Sequence, residues 1–337
     1  MRAILAVLLA LTFAGCARNP LYSQESYVFG TRVEVLVWGE PGDSARGAVA
    51  EVLREFDRLH RTYHAWQPSE LTALNEAIAA GRPHEVSAEL AGLVRDAQRM
   101  AAAGDRLFDP GIGRLIALWG FHSDEFKPRL PDPARLSALV NSHPSIADLA
   151  VDGAKISSRN TAVALDFGGY LKGVALDNAA AILKARGVRN ALINIGGNVM
   201  ALGSKGGTPW RVGIQHPRSP DPIATLELFD GEAVGTSGDY QRYFELDGRR
   251  YSHLLDPRTG RPASASQAVT ILVAPRRDDA GAGMWSDAGT KPLFVAGDDW
   301  RPLAERMNLP HVLRIDAEGR VEATPAFRKR LKFGTNG

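Results

Sequence analysis

The stretch SDAGTKPLFVAG at 286–297 places an acid, a hydroxyl and an amine directly before an apolar run. Asp287 and Lys291 are four residues apart, and Thr290 lies between them. Carboxylate and hydroxyl oxygens suit a hard cation such as Mg2+, whereas an acid and an amine at this spacing pair on one face of a helix. The residues therefore allow three interpretations: a cation site, a salt bridge that replaces one, or the polar start of a buried helix.

A second polar stretch, LDFGGYLKG at 165–173, has features of an anion site. Asp166 ends a predicted strand, and Gly168 and Gly169 allow the backbone to approach a ligand closely. Lys172 then opens a predicted helix, whose N-terminus attracts anions. The stretch is neither a dinucleotide-binding GxGxxG nor a phosphate-binding P-loop, so a strand-to-helix turn with a solvated lysine explains it equally well.

A candidate general base occurs in YSHLLDPRTGRP at 251–262. The alternation puts His253 and Leu255 on one face of a strand, and a stiff turn that begins at Asp256 follows. A histidine held in this way suits proton abstraction. The alternative is a core histidine that hydrogen-bonds to Asp256. A serine-hydrolase triad with Ser237 is not indicated, because no Gly-x-Ser-x-Gly elbow is present.

The composition excludes several classes of protein. With 40 Lys and Arg against 38 Asp and Glu, the net charge of +2 gives no reason to expect binding to nucleic acid. The eight histidines are scattered and the only cysteine is Cys16, so a transition-metal site is not predicted. The 34 glycines and 20 prolines indicate a turn-rich mixed chain instead of a helical bundle.

The N-terminus, MRAILAVLLALTFAGC, resembles a bacterial lipoprotein signal with Cys16 as the lipidated first residue of the mature chain. Its apolar stretch is too short to span a bilayer as a permanent helix. We expect a signal peptide at 1–15 and a lipid-anchored tether at 16–24. The alternative is an ordinary secretory signal. In both cases the mature chain lies outside the cytoplasm, and the lipid would hold it on the periplasmic side of the inner or outer membrane.

Hydrophobic periodicity predicts the elements that must position these residues. Helical spacing indicates helices over 45–63, 84–104 and 171–187, with Ser87 as the N-cap and Gly104 as the stop of the second. Alternation indicates strands at 26–38, 148–153, 154–158, 162–168 and 191–203, and across most of 210–274. The expected fold is a single compact α+β unit of mixed sheets with flanking helices over 25–325, in one or two lobes, with a tail at 326–337.

The motifs taken together resemble the ApbE family, the FAD:protein FMN transferases. The resemblance extends over about 270 residues, and it is specific because many motifs occur in one order. In chain order they are FGT (29–31), SELTALN (69–75), LFDPGIGRLIALWGF (107–121), LDFGGYLKGVALD (165–177), INIGGNVMALG, WRVGIQHP, GTSGDYQRYF, YSHLLDPRTGRP and SDAGTKPLFVAG.

The resemblance implies an activity and its partners. Members of the family bind FAD and a divalent cation, usually Mg2+. They transfer the FMN half of FAD to a threonine or serine of another extracytoplasmic protein, so that a phosphoester forms and AMP is released. FAD is thus the expected substrate, and an extracytoplasmic flavoprotein with a Thr or Ser target motif is the expected acceptor.

The resemblance also implies roles for individual residues. His253 corresponds to the family's proposed base, and Lys172 to the lysine near FAD. Trp66 precedes the Ser-Glu-Leu motif, where the family often has a tyrosine that covers the flavin ring. We expect Trp66 to stack on the isoalloxazine instead of lying in the core. Further positions that contact FAD are Phe29, Leu107, Phe108, Asp109, Asp166 and Leu255.

The metal site departs from the family pattern. The resemblance implies that Asp287 and the Gly169 carbonyl hold the cation, but Lys291 stands where the family's threonine is expected. Thr290 is one residue early, at a position that can also lie near the metal. Three interpretations stay open: Lys291 adds charge beside a bound Mg2+, its ammonium replaces the metal, or it forms only a helical ion pair with Asp287. Pro292 argues against the last, because the residue before a proline disfavours helical geometry.

Two other functions fit the same residues. An FAD pyrophosphatase would use water as the acceptor and would release FMN and AMP without a protein partner. A non-catalytic FAD-binding lipoprotein would hold FAD intact, and displacement of the metal by Lys291 would favour this function.

Overall fold

The computed structural model describes residues 21–123, 125–275 and 281–334. The predicted signal peptide, Cys16 and the first part of the tether lie outside these residues, so the lipid anchor stays a prediction. Within the described ranges, no helix has both the length and the apolar character that crossing a membrane requires.

An eight-stranded antiparallel sheet forms the centre of the fold. Residues along each strand point alternately to its two faces. Val33 and Val35 therefore pack into one hydrophobic core, while Leu36 and Trp38 pack against a second core on the opposite face. The strand order is β1 (Leu21–Val28), β2 (Thr31–Trp38), β6 (Ala191–Ile195), β7 (Asn198–Leu202), β10 (Ala233–Gly238), β15 (Ser266–Val273), β16 (Val312–Asp316) and β17 (Val321–Ala323).

Most of the helices cover the face of the sheet that carries Val33 and Val35 and contribute to the larger core, whereas the last helix buries Phe327 in the second core. An amphipathic helix buries its apolar stripe in this way. The helices are α1 (Gly42–Thr62), α2 (Glu70–Ala79), α3 (Ala88–Ala103), α4 (Gly113–Leu118), α5 (Pro133–Asn141), α6 (Leu171–Ala185), α7 (Ala282–Ala288), α8 (Thr290–Ala296), α9 (Trp300–Arg306) and α10 (Pro325–Arg328).

Small sheets and hairpins complete the unit. A three-stranded sheet covers the second face of the central sheet, and one hairpin packs with α4 and α5 around Trp119 in a third core. The strands are β8 (Trp210–Gln215), β9 (Pro222–Leu228) and β18 (Leu331–Phe333) in one sheet, β3 (His84–Glu85), β4 (Leu149–Asp152) and β5 (Lys155–Ser158) in another, and β11 (Tyr243–Leu246), β12 (Arg249–Ser252), β13 (Leu255–Asp256) and β14 (Arg261–Pro262) in two hairpins.

The predicted α+β class is confirmed, and the described residues form one compact unit. The folded part extends beyond both expected boundaries. Residues 21–24, expected in the tether, begin β1 and pair with β2. Residues 331–333, expected in the tail, pair with β9 because Leu331 completes the second core.

Two predicted elements differ from the structure. The strand predicted at 26–38 is a hairpin, since Phe29 and Gly30 adopt φ of 58° and 66° and reverse the chain. The strand predicted at 162–168 is absent. The Asn75 side chain replaces a partner strand there: its amide donates to Leu165 O at 2.9 Å and its oxygen accepts from Leu165 N at 2.7 Å.

Helices α6 and α7 pack very closely, and this contact brings Gly173 of α6 next to Asp287 of α7. A Cβ on Gly173 would lie 2.4 Å from the Gly283 carbonyl oxygen, so only glycine permits the approach. Asp177 of α6 accepts hydrogen bonds from Gly283 N at 2.9 Å and Met284 N at 2.8 Å. It thereby satisfies N–H groups that have no acceptor inside α7.

Candidate active site

Asp287 is at the C-terminal part of α7 and is the centre of the candidate site. Its side chain is 1% exposed. One carboxylate oxygen accepts from Gly173 N at 3.1 Å, and the other faces two lysines. Burial raises the pKa of Asp287, but the charges of Lys172 and Lys291 more than compensate and hold it below its ordinary value. Asp287 is therefore an ionised carboxylate.

The two lysines reach Asp287 from different helices. Lys172 Nζ of α6 lies 3.8 Å from Asp287 Oδ1. Lys291 Nζ of α8 donates to the same Oδ1 and, at 2.7 Å, to the backbone carbonyl oxygen of Asp287. Burial lowers the pKa of Lys291 to about 8, with Asp287 opposing the shift. The cluster carries two ammonium groups around one carboxylate.

Thr290 lies in the same cluster, and its hydroxyl has two partners. Thr290 Oγ1 donates to Asp287 O at 2.6 Å and lies 2.7 Å from Ser237 Oγ. All three residues are buried. Ser237 therefore supports the junction of α7 and α8 at Thr290, and the triad with His253 and Asp256 is not formed.

The expectation that Pro292 disfavours a helical Lys291 is wrong. Lys291 is the second residue of α8 and forms an i,i+4 ion pair with Asp287. Pro292 is the third residue of the same helix, where an N–H group has no acceptor within α8, so its missing N–H costs little. Tertiary packing of the buried Leu293 and Phe294 then outweighs the local preference of the residue before proline.

His253 has the geometry of a neutral general base. Its Nδ1 lies 3.1 Å from Arg242 O. Because a carbonyl oxygen only accepts, the proton is on Nδ1 and Nε2 keeps a lone pair. Burial and, to a smaller extent, the positive charges of Arg242, Lys172 and Lys291 together lower the pKa of His253 to about 3, against the hydrogen bond to the Arg242 carbonyl. The imidazole is therefore uncharged at neutral pH and lies within the field of both lysines.

The alternative of a core histidine bonded to Asp256 is not what the structure shows. The Asp256 carboxylate accepts from Arg258, through the backbone N at 2.9 Å and Nε at 3.0 Å. It stabilises its own turn, while His253 bonds to the carbonyl of Arg242, just before β11. His253 lies between β12 and β13, so the expected single strand carrying His253 and Leu255 is not formed.

An aromatic surface lies beside His253. Trp66 is partly exposed and stacks on His122, with ring centroids 5.0 Å apart and an angle of 23° between the planes. His122 Nε2 lies 2.9 Å from Asp166 Oδ2. Burial raises the pKa of Asp166, but the hydrogen bond and charge of His122 hold it below its ordinary value. The alternative of a core Trp66 is therefore wrong, and Asp166 positions the aromatic pair.

His122 was missed by the sequence analysis, although a signal was present: it directly follows the LWGF motif. Arg242 links this surface to the base. Its guanidinium donates to Phe121 O at 3.0 Å and lies 6.0 Å from the Trp66 ring, and its own carbonyl holds His253.

Phe29 occupies the β1–β2 turn, and its ring lies 6.1 Å from Phe56 and 5.6 Å from His60. His60 and His64 continue this row of rings toward Trp66, with centroids 5.0 Å apart. Phe29 is a non-glycine residue at positive φ, and strained backbone of this kind often occurs at functional sites. Here the turn brings Phe29 to the same end of the fold as the Trp66 stack.

The remaining predicted FAD positions are mainly apolar residues that belong to the hydrophobic cores. Leu107, Phe108 and Leu255 are buried. The Phe108 ring would lie 2.6 Å from a Cβ on Gly169, so glycine is required for this contact. Leu255 packs in the third core beside Trp119.

Asp109 has a structural role in its own loop. Its Oδ1 accepts from Gly111 N and Ile146 N, both at 2.8 Å, and its Oδ2 accepts from Ser145 Oγ at 2.5 Å. Burial raises the pKa of Asp109 against these hydrogen bonds. The carboxylate therefore fixes the segment that carries Phe108.

The residues do not fit an open site for a divalent cation. The Asp287 oxygens and the Thr290 hydroxyl are all engaged by protein donors, and Lys291 Nζ lies between two of the oxygens. Mg2+ requires near-octahedral oxygen ligands, with water completing the set. In the part of the chain that the structure describes, no group of three or more His, Cys, Asp or Glu residues could hold a metal ion.

Fold and site together define a class: an α+β protein with two ammonium groups around one buried carboxylate, a neutral histidine in their field and a partly exposed aromatic stack. Residues 29–313 match the model of the ApbE family, and the chain belongs to this family.

Characterised relatives support the assignment. The chain is 42% identical over 339 residues to the FAD:protein FMN transferase of Rhodobacter capsulatus, and it covers 64% of the length of that protein. It is 30% identical over 346 residues to the FAD:protein FMN transferase of Escherichia coli K12, covering 96% of this chain and 95% of the relative.

Solved structures of the family have the same fold. An ApbE protein from Thermotoga maritima superposes with a TM-score of 0.84 at 31% identity, over 92% of this chain and 99% of that one. The flavinyl transferase ApbE of Pseudomonas stutzeri, in its apo form, superposes with a TM-score of 0.80 at 29% identity, over 94% of this chain and 98% of that one.

Proposed function

We propose that this chain is an FAD:protein FMN transferase that attaches FMN to a threonine or serine hydroxyl of an acceptor protein and releases AMP. The observation that carries the proposal is the neutral His253 in the field of Lys172 and Lys291. The two requirements of this transfer are a neutral base with a lone pair and cationic groups for a diphosphate.

His253, Lys172 and Lys291 have separate roles in the reaction. The acceptor hydroxyl oxygen attacks the phosphorus on the FMN side of the FAD diphosphate, and His253 Nε2 takes its proton. The new bond joins that oxygen to the FMN phosphorus. The bond that breaks joins the same phosphorus to the bridging oxygen, which leaves with AMP. Lys172 and Lys291 stabilise the charge that builds on the phosphoryl oxygens.

The aromatic surface would hold the other end of FAD. Trp66 offers a flat, partly exposed ring for the isoalloxazine, and His122 and Asp166 fix its orientation. Phe29 and Phe108 are apolar residues suited to lie beside the flavin. A ligand held at both ends presents the diphosphate to the acceptor in one orientation.

The family's Mg2+ would supply charge neutralisation at the diphosphate when bound, and Asp287, Thr290 and the Gly169 carbonyl are the positions that would hold it. Asp287 is engaged by Lys291 and Gly173, and Thr290 by Ser237, which does not fit that role, so no step of the reaction is assigned to Mg2+ in this chain.

We place the acceptor on the extracytoplasmic side of the membrane. The support is the sequence pattern that ends at Cys16, which favours a lipoprotein on the periplasmic side of the inner or outer membrane. A tethered transferase would meet membrane-associated flavoproteins at high local concentration. Labelling with radioactive palmitate checks the anchor, and loss of the label in C16S is the expected result.

The test of the transfer is a denaturing gel of FAD, the purified chain and an acceptor domain. Covalent flavin fluorescence on the acceptor is expected, and it should vanish when the target threonine of the acceptor is alanine. H253Q should slow labelling by about 100-fold or more while it still binds FAD. The matched control H84Q changes a histidine of β3, outside the site, and should label at the normal rate.

The same assay separates the alternatives. Release of FMN and AMP without any labelled acceptor would mean that water is the acceptor. Intact FAD that stays bound in the presence of two different acceptor domains would mean a carrier and would overturn the proposed transfer.

A further inference from the structure

The Lys291 ammonium is buried in a position where a lysine requires compensation. Its side chain is 11% exposed, and that of Asp287 is 1% exposed. A buried amine is stable only when it is paired and hydrogen-bonded. Lys291 Nζ meets this requirement with two oxygens of one residue, the Asp287 carboxylate and the Asp287 backbone carbonyl.

These two oxygens have the character of cation ligands. A carboxylate and a backbone carbonyl are common ligands of hard cations in proteins. The hydroxyl of Thr290 is directed to the same carbonyl and to Ser237. The ammonium therefore lies where oxygen atoms converge, and it uses two of its three N–H groups there among the described residues.

The charge balance also favours the ammonium. One carboxylate and two ammonium groups leave one net positive charge beside the place proposed for a diphosphate. A divalent cation added at the same oxygens would be close to two like charges, and this repulsion is weakly screened in a buried site. Lysine acts on phosphate as a point charge, for which no fixed coordination geometry is needed.

We propose that Lys291 is a built-in replacement for the divalent cation, so that this chain binds FAD and transfers FMN without a divalent metal. This inference rests on the proposed function. The third N–H group of Lys291 donates to a phosphate oxygen, and Lys172 supplies the second positive charge. The transfer itself is unchanged: the proton goes to His253, and the bridging oxygen leaves with AMP.

The test measures binding by the purified full chain and needs no catalysis. FAD affinity is followed by flavin fluorescence in Mg2+ or in EDTA, and Mn2+ binding is followed by electron paramagnetic resonance. For the wild type, the dissociation constant of FAD should differ by less than about twofold between Mg2+ and EDTA. Stoichiometric Mn2+ binding in the presence of FAD is not expected.

Two variants separate charge from ligand geometry. K291T places a hydroxyl four residues after Asp287. It should gain Mn2+ binding, and its FAD affinity should fall by about tenfold or more in EDTA. K291M removes the charge without adding a ligand. It should bind FAD about tenfold or more weakly in both conditions. The control K205M removes a lysine that lies over Trp38, outside the site, and should behave as the wild type.

The wild-type result decides the inference even if a variant fails to fold. Wild-type FAD binding that requires Mg2+, or stoichiometric Mn2+ in its FAD complex, would overturn the replacement and leave the proposed transferase intact. Full FAD affinity in K291M would also overturn the replacement. Absence of FAD binding under every condition would overturn both the replacement and the proposed function.

Discussion

A carboxylate lies at each end of α7, the half-buried Asp177 of α6 at its start and the buried Asp287 of α7 itself at its end, and the two are stabilised in opposite ways. At its start, Asp177 accepts from the backbone N–H groups of Gly283 and Met284. At its end, Asp287 is paired with the ammonium groups of Lys172 and Lys291. Burial raises the pKa of Asp177 to about 6, whereas the lysines hold the pKa of Asp287 below its ordinary value.

The difference separates a structural carboxylate from one suited to ligand chemistry. Neutral N–H groups satisfy the hydrogen bonds of Asp177 but leave its negative charge uncompensated. The two ammonium groups compensate the negative charge of Asp287 and leave a net positive charge that suits an anionic ligand. Both carboxylates lie at the α6–α7 contact, so the partners, and not the location alone, decide the role.

The largest effect is expected from D287N. The substitution leaves Lys172 and Lys291 close together without their carboxylate, and breaking a buried pair costs about 3 kcal/mol of unfolding free energy. Denaturant titration followed by tryptophan fluorescence measures the change. A loss below about 1 kcal/mol would show that the lysines have another anionic partner and that Asp287 is less central than the contacts indicate.

G173A should have the next largest effect on the free energy of unfolding, because it disturbs the α6–α7 contact at which both Asp177 and Asp287 lie. The new Cβ would lie 2.4 Å from Gly283 O and 2.8 Å from Asp287 Cβ, so α6 and α7 must separate. Overpacking of this kind costs about 2 kcal/mol. The matched control is G92A in α3, where a Cβ meets nothing within 4 Å. That change should be neutral or stabilising in the same denaturation experiment.

D177N should cost about 1 kcal/mol at neutral pH, because one backbone N–H at the start of α7 loses its acceptor. The cost should depend on pH. The folded-state pKa of about 6 lies above the unfolded value of 3.8, so stability from this group is present below pH 3.8 and is lost as pH rises through 6. The stability difference between wild type and D177N should therefore narrow as the pH is raised from 4 to about 7.

Asp287 should show the opposite dependence. Its folded-state pKa is lowered from 3.8, so its contribution is present above pH 3.8 and is lost as the pH falls through the folded value. Parallel denaturation curves of wild type, D177N and D287N between pH 3 and about 7 measure both slopes. If the stability contributions of Asp177 and Asp287 changed with pH in the same direction, the proposed contrast between the two carboxylates would be wrong.

The smallest effect is expected from E51Q. Glu51 of α1 pairs with Arg186, the residue after α6, and both side chains are substantially exposed. Exposed pairs contribute about 0.5 kcal/mol or less. A near-zero change in unfolding free energy in the same denaturation assay would show that the Asp287 pair contributes more to stability because it is buried. A loss of unfolding free energy as large as that of D287N would show that burial does not distinguish the two ion pairs.

Much of the fold was accessible from the sequence. The helix at 84–104 was predicted with its caps, and Ser87 and Gly104 have those positions, although the helix itself begins at Ala88. These signals are local, since a cap bonds within one turn. The absent strand at 162–168 shows where local pattern fails: the partner of Leu165 is the Asn75 side chain, distant in sequence.

The site was predicted unevenly for the same reason. His253, Lys172 and Asp287 are brought together as the ordered motifs implied. The role of Asp109 in its own loop could not be inferred, because it depends on Ser145 and Ile146 from another segment. His122 was missed because its significance is a stack with Trp66.

The sequence by itself determined the family, the α+β class and the identities of the candidate base and cations, because motif order and periodicity are properties of the chain. Only the tertiary structure decided that Lys291 is buried against Asp287. Whether an amine at i+4 is a surface ion pair or a buried replacement for a cation depends on burial, on Gly173 and Ser237, and on the second lysine from α6. Electrostatic energy is set by the distances and the medium between charges, and folding alone fixes both.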